Sequence, residues 1–137
     1  MGYWGIRSYE NDDASDALDA GFEGVHGAAY NDMMDDSNPL TFEQVQEKLA
    51  NPQTLEASLK WLDEEFGTEY ETWDQEARLA YAGVAVRMME CGVPLPEIVR
   101  TRALAWLREE TMEWDEPTRR RLRRDQELAW LEKASVC

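Results

Sequence analysis

The chain is poor in the residue types on which several protein classes depend. Its 137 residues include two cysteines and one histidine, and nowhere do eighteen apolar residues follow one another. Two cysteines are too few for a disulfide framework, and one histidine leaves little material for zinc binding or nucleophilic catalysis. The missing apolar run argues against a transmembrane helix, and the opening residues lack the basic and apolar regions of a secretory signal. We therefore expect a cytoplasmic protein with no membrane partner.

Basic side chains are also scarce, and their distribution along the chain is uneven. The sequence has 29 acidic and 14 basic side chains, a formal net charge of −15. Residues 1–76 contain 19 acidic and three basic side chains, whereas residues 77–137 contain 10 acidic and 11 basic. The first region should repel nucleic acid, because phosphate binding needs clustered Lys and Arg. Its charge should instead attract a basic protein partner.

Five arginines in six positions interrupt the acidic trend: Arg119, Arg120, Arg121, Arg123 and Arg124. On a helix they point in several directions, because consecutive residues are about 100° apart. We predict a solvated C-terminal arginine-rich helix within 117–137, whose arginines pair with the acidic region. A short nucleic-acid or acidic-surface contact is the alternative. If the pairing runs between copies, the protein is a homo-oligomer or a structural self-associating module.

Apolar residues recur at helical spacing behind several capping signals, and no segment alternates as a strand does. The predicted N-terminal signals are Asn11 or Asp12, the capping boxes Thr41–Gln44 and Thr72–Gln75, and Asn51 followed by Pro52. The first helix is predicted to bury Ala14, Leu18, Phe22 and Val25, and the last to run through Leu122, Ala129, Trp130 and Leu131. These patterns predict an all-α protein: residues 1–137 form a single domain, a compact bundle of five to six helices.

The segment before the first helix is unusually aromatic. Residues 1–9 contain three aromatic side chains and two glycines. Chain termini stay loose unless something holds them, and large aromatics such as Trp4 and Tyr9 can do so. We predict an N-terminal arm packed on the helices, with a ligand slot as the alternative.

The same residues carry a resemblance. A Trp-Gly pair is followed at fixed spacing by an acidic helix cap, in the order Trp4, Gly5, Tyr9, Asn11, Asp12, Asp13. This opening resembles that of a family of short bacterial proteins catalogued as domain of unknown function 4259, over about the first sixteen to twenty residues. The resemblance implies a bacterial cytoplasmic protein and carries no established activity.

One carboxylate motif has a possible catalytic interpretation. Asp12, Asp13 and Asp16 match the pattern in which spaced aspartates hold Mg²⁺ against a diphosphate. First-turn aspartates also suit the positive end of a helix dipole. We interpret them as a helix cap and a solvated acidic face, with no metal and no cofactor. A Mg²⁺-dependent phosphate or nucleotide hydrolase that uses helix carboxylates is the alternative.

Two tryptophans lie off the apolar stripes of their helices and are candidates for a partner surface. Trp61 and Trp130 have charged neighbours, and exposed tryptophans are enriched among binding hot spots. Asp32, Asp35 and Asp36 add an acidic group near a loop. The sequence therefore predicts a non-catalytic acidic protein, of inhibitor or immunity type, that engages a basic protein.

Overall fold

The computed structural model describes residues 7–33, 37, 39–110 and 116–134. A single 3₁₀ turn, Tyr70–Thr72, interrupts a series of α-helices: α1 Asp12–His26, α2 Ala28–Met33, α3 Phe42–Leu49, α4 Pro52–Phe66, α5 Gln75–Glu90, α6 Glu97–Arg108 and α7 Pro117–Lys133. The residues in these ranges form no strand, so the predicted all-α class is confirmed. None of the helices in the described ranges is both long enough and apolar enough to span a bilayer.

The described part of the chain forms seven α-helices, so the predicted number of five to six was wrong. The extra helix arises at Gly27, which adopts a positive φ of 53° and ends α1, so that α2 starts one residue later. Val25 was also wrongly predicted to be buried, since it is 38% exposed. His26 faces α4 in its place, with Nε2 lying 2.9 Å from Thr54 Oγ1.

Most of the predicted helix starts are confirmed. Asn11 Oδ1 accepts the Ala14 N–H at 2.9 Å, Thr41 and Gln44 form the expected reciprocal box, and Asn51 caps α4 ahead of Pro52. Each cap satisfies an N–H that lacks a partner within its own helix.

The capping box predicted at Thr72 and Gln75 was wrong. Thr72 Oγ1 donates instead to the carbonyl of Glu69 within the 3₁₀ turn. Asp74 caps α5 by accepting the Ala77 N–H at 2.9 Å. Threonine and aspartate can both cap a helix. Because the 3₁₀ turn engages the Thr72 hydroxyl, Asp74 is the residue that caps α5.

Helix α5 is the central element of the fold. Eleven of its sixteen residues are buried, with only Arg78 half-buried between Ala77 and Met88. A helix that is buried on nearly every side must be covered by others. Helices α1, α4, α6 and α7 all pack against it.

Helices α1 and α4 pack closely along their length. A Cβ atom at Gly21 would lie 2.0 Å from Ser58 Oγ and 2.9 Å from the carbonyl oxygen of Thr54. Only glycine permits this approach. The contact buries one face of each helix and leaves their outer faces exposed.

The N-terminal segment meets α5 at a second glycine. Ser8 is buried, and a Cβ at Gly83 would lie 2.4 Å from the Ser8 carbonyl oxygen. Tyr9 is half-buried beside it. Trp4 and Gly5, which carry part of the predicted arm, lie outside the described residues.

Candidate functional site

A group of buried charges, here called the Glu127 cluster, joins the N-terminal segment to α7. Glu127 is 0% exposed, and its carboxylate accepts the Ser8 N–H at 3.0 Å and Arg120 Nη1 at 3.1 Å. Ser8 Oγ donates to it at 2.5 Å and Arg123 Nε at 3.2 Å. Arg120, which is 2% exposed, also pairs with Glu110. The buried carboxylate is thus surrounded by donors, as a buried ion must be.

This cluster corrects the interpretation of the arginine run. Arg120 is buried rather than solvated, and the carboxylates that pair with Arg120, Arg123 and Arg124 belong to residues 77–137 rather than to the acidic region. The reason is helical spacing. Positions 120, 123, 124 and 127 share one face of α7, and that face points inward. Arg119 and Arg121 are exposed, with Arg119 paired to Glu116.

Next to the cluster lies an open cavity of about 870 Å³, here called the Trp130 cavity. The N-terminal segment, α1, α3, α5 and α7 contribute its walls. Volumes of about 300–1,000 Å³ are typical of ligand pockets. Its size therefore makes it a candidate binding site.

The floor of the Trp130 cavity is polar, and its groups are already paired. Arg87, which is buried, donates from Nε to Gln46 Oε1 at 2.7 Å and from Nη2 to the Glu43 carbonyl at 3.1 Å. It lies 3.5 Å from the Glu90 carboxylate and 5.7 Å from the centre of the Tyr9 ring. Burial, and next the neighbouring Glu90 carboxylate, raise the pKa of Tyr9 well above its usual value. Tyr9 therefore stays protonated, and remains a donor, at neutral pH.

The wall on α7 presents an aromatic ring to solvent. Trp130 is 41% exposed, and the Arg123 guanidinium lies 4.9 Å from the centre of its ring. Arg123 also pairs with Glu90 at 2.9 Å, so its charge is balanced inside the protein. Trp130 was predicted as a partner residue. In the structure it is exposed to solvent and also lines the Trp130 cavity.

The exposed positions of α1 and α4 together carry seven carboxylates and one lysine, and these positions are here called the α1–α4 acidic surface. The carboxylates belong to Asp12, Asp16, Asp19, Glu23, Glu56, Glu64 and Glu65, and the lysine is Lys60. Across the described residues, nineteen acidic side chains are exposed against seven basic ones. The exposed side chains are acidic in excess because the sequence is, since the partly or fully withdrawn side chains of the described residues comprise seven basic and six acidic ones.

The carboxylates of the alternative metal motif stand apart from any ligand set. Asp12 and Asp16 are exposed and Asp13 is half-buried. Burial, and next the charge of Glu76, raise the pKa of Asp13. Among the residues described, no group of three or more His, Cys, Asp or Glu side chains is arranged to hold a metal ion.

The other predicted partner residues lie on separate elements. Asp32 is exposed on α2, and Asp35 and Asp36 fall outside the described residues. Trp61 on α4 is half-buried and packs against the core beside Glu64 and Glu65. Trp61 and Trp130 therefore belong to different surfaces.

An aromatic cluster around Arg102 was missed by sequence reasoning. Its guanidinium lies 4.1 Å from the centre of the Tyr70 ring, and Nη1 donates to the Tyr81 hydroxyl at 3.2 Å. Trp73 and Trp106 pack in the same cluster with ring centres 5.6 Å apart. The four rings come from the 3₁₀ turn, the residue that follows it, α5 and α6, and no local spacing relates α6 to the others. This aromatic cluster therefore holds the Arg102 guanidinium near the core.

Cys91 has the environment of an inert thiol. Burial raises its pKa to about 11. Desolvation is the main cause of the raised pKa, because burial penalises the charged thiolate. The thiolate is therefore a rare species at neutral pH.

No family model, no curated protein and no solved structure matches this chain.

Proposed function

We propose that this protein is a non-catalytic binding protein whose α1–α4 acidic surface engages a basic protein partner. The observation that carries the proposal is the excess of exposed carboxylates over exposed cations. Arginines lie inside, against glutamates and aromatic rings, and nineteen exposed carboxylates face solvent with seven exposed cations. Such a surface accelerates the approach of a basic partner and repels acidic ones.

The outer face of α1 is suited to this role by its regularity. Asp12, Asp16, Asp19 and Glu23 are all exposed on it. Asp19 also accepts the Tyr30 hydroxyl at 2.7 Å, which ties α2 to α1. The remaining three carboxylates take part in no ion pair among the described residues, so their charge is available to a partner.

Trp61 is proposed as the anchor within this surface. It is half-buried on α4, next to exposed Glu64 and Glu65. Half-buried tryptophans lose little conformational freedom on binding and are enriched among hot spots. A central aromatic with a rim of carboxylates is an arrangement that a basic interface can cover.

Two further statements belong to the same proposal. We infer that the chain acts as one compact helical unit, with its N-terminal segment packed on the helices, supported by the buried Ser8 and its bonds to Glu127. The resemblance of the opening residues to the bacterial family named above supports a cytoplasmic protein.

The proposal is tested with a pair of variants that change net charge equally. Asp16→Lys with Glu23→Lys reverses two unpaired carboxylates of the α1–α4 acidic surface. Glu69→Lys with Asp125→Lys reverses two exposed carboxylates elsewhere. Each variant and the wild-type protein serve as bait for host lysate, and the captured proteins are identified by mass spectrometry.

We expect the wild type and the second variant to retain a basic protein that the first variant loses. With that partner purified, the association rate of Asp16→Lys with Glu23→Lys should be about tenfold lower than that of the wild type. The association rate of the wild type should also fall as the salt concentration rises. Trp61→Ala should raise the dissociation rate instead. A captured partner that is acidic, or one held equally by both variants, would show the proposal to be wrong.

A further inference from the structure

The Trp130 cavity has its own chemistry, which the α1–α4 acidic surface does not explain. We propose that it binds a short basic peptide segment, with an arginine or lysine of that segment at Glu43 and Glu47 and an apolar neighbour against Trp130. This goes beyond the proposed function, because a partner can contact α1 and α4 without reaching the cavity.

Charge pairing inside the cavity determines the sign of the ligand. Arg87 is satisfied by Gln46, the Glu43 carbonyl and Glu90, and Arg123 by Glu90 and Glu127. Arg7 at the rim pairs with Glu10. The arginines that line the cavity are therefore engaged, and an anionic ligand would have to displace glutamates that already hold them.

Two carboxylates remain available. Glu43 and Glu47 line the cavity, are exposed, and form no ion pair among the described residues. They lie one turn apart on α3, so both face the same side of the helix. Lys133 is exposed on the rim contributed by α7, and the charged residues that line the cavity are four basic and four acidic in all. Beside Glu43 and Glu47, the complementary group of a ligand is a cation.

The apolar walls determine the rest of the ligand. Trp130 is 41% exposed, and Met89 and Leu18 line the same space. A volume of about 870 Å³ is larger than one side chain needs. A peptide that places a cationic side chain beside an apolar one fits both the carboxylates and the ring, since the aliphatic stems of lysine and arginine also pack well on aromatic surfaces.

The probe is the peptide acetyl-Arg-Leu-Arg-amide, and its matched control is acetyl-citrulline-Leu-citrulline-amide, which has the same shape without charge. Binding is followed by nuclear magnetic resonance on ¹⁵N-labelled full-length protein. The indole N–H signal of Trp130 is identified as the one missing in Trp130→Phe. This signal reports occupancy of the cavity rather than contact with the surface in general.

We expect the arginine peptide to shift the Trp130 indole signal to saturation, and the citrulline peptide to leave it nearly unchanged. Glu43→Gln with Glu47→Gln should weaken binding about four- to 25-fold, since exposed charge pairs contribute about two- to fivefold each. Glu69→Gln with Glu71→Gln, which has the same charge change at exposed carboxylates outside both the cavity and the α1–α4 acidic surface, should leave the affinity within about twofold.

Three results would overturn the assignment: no shift of the Trp130 signal at 10 mM peptide, equal binding of the citrulline peptide, or equal weakening by both glutamine pairs. A failure here is distinct from a failure of the proposed function. The peptide titration uses no natural partner, and the α1 variant Asp16→Lys with Glu23→Lys leaves Glu43, Glu47 and Trp130 in place.

Discussion

Removing the Glu127 side chain should destabilise the fold more than removing any exposed glutamate. In Glu127→Ala, Arg120 loses one of the carboxylates that pair with it, and the Ser8 N–H loses its acceptor. Deleting one partner of a buried ion pair costs about 3–5 kcal/mol. Small proteins have about 5–15 kcal/mol of stability in total, so the variant should lose a large part of it.

The measurement is urea unfolding followed by far-ultraviolet circular dichroism. With an m-value of about 1–3 kcal/mol/M, the midpoint should fall by about 1–5 M. Glu132→Ala is the matched control on the same helix, because Glu132 pairs with Arg108 while 53% exposed. It should cost less than about 1 kcal/mol. Equal midpoints for the two variants would refute the view that the Glu127 cluster holds the N-terminal segment on α7.

Three further outcomes are expected. Gly21→Ala should cost about 1–3 kcal/mol in urea unfolding, because its Cβ would lie 2.0 Å from a serine oxygen on α4, whereas Gly24→Ala, which meets nothing within 4 Å, should not destabilise. Cys91, whose pKa is raised to about 11 from 9.0, should alkylate slowly at pH 8 in a Cys137→Ser background. Because the unfolded thiol loses its proton first, this group should lower stability as pH rises from 9 towards 11. Calorimetric titration with Mg²⁺ should show no micromolar site, and such a site lost in Asp13→Ala would support the hydrolase alternative.

Sequence reasoning worked best where the signal is local. The caps at Asn11, Thr41 and Asn51 each depend on a side chain and an N–H three residues away, and all three form. The predicted capping box at Thr72 does not form because the Thr72 hydroxyl donates to a carbonyl within a 3₁₀ turn. The length of such a turn is set by packing, which the local sequence does not show. The break at Gly27 was missed because glycine inside a helical pattern permits a stop without requiring one.

The candidate sites were harder to predict because their parts are far apart in sequence. Ser8 and Glu127 are 119 residues apart, and no spacing rule relates them. Trp130 was recognisable as a tryptophan off its apolar stripe, but its place in a cavity depends on α3 and α5. The arginine run was misread for a related reason. Charge counting gives the number of cations, whereas the helical phase of α7 decides which of them turn inward.

The buried arginines contribute to the stability of the protein, and the acidic excess of the sequence determines the charge of its surface. Arg87 and Arg120 are withdrawn together with the glutamates that pair with them, so their burial removes cations and carboxylates from the exterior in nearly equal numbers. The exterior therefore keeps the acidic excess that favours the first approach of a basic partner. The same pairing leaves the Trp130 cavity without an unpaired arginine. A variant that frees a buried arginine, such as Glu127→Ala, should therefore weaken both the fold and the selectivity for basic ligands, and a charge reversal on α1 should change binding alone.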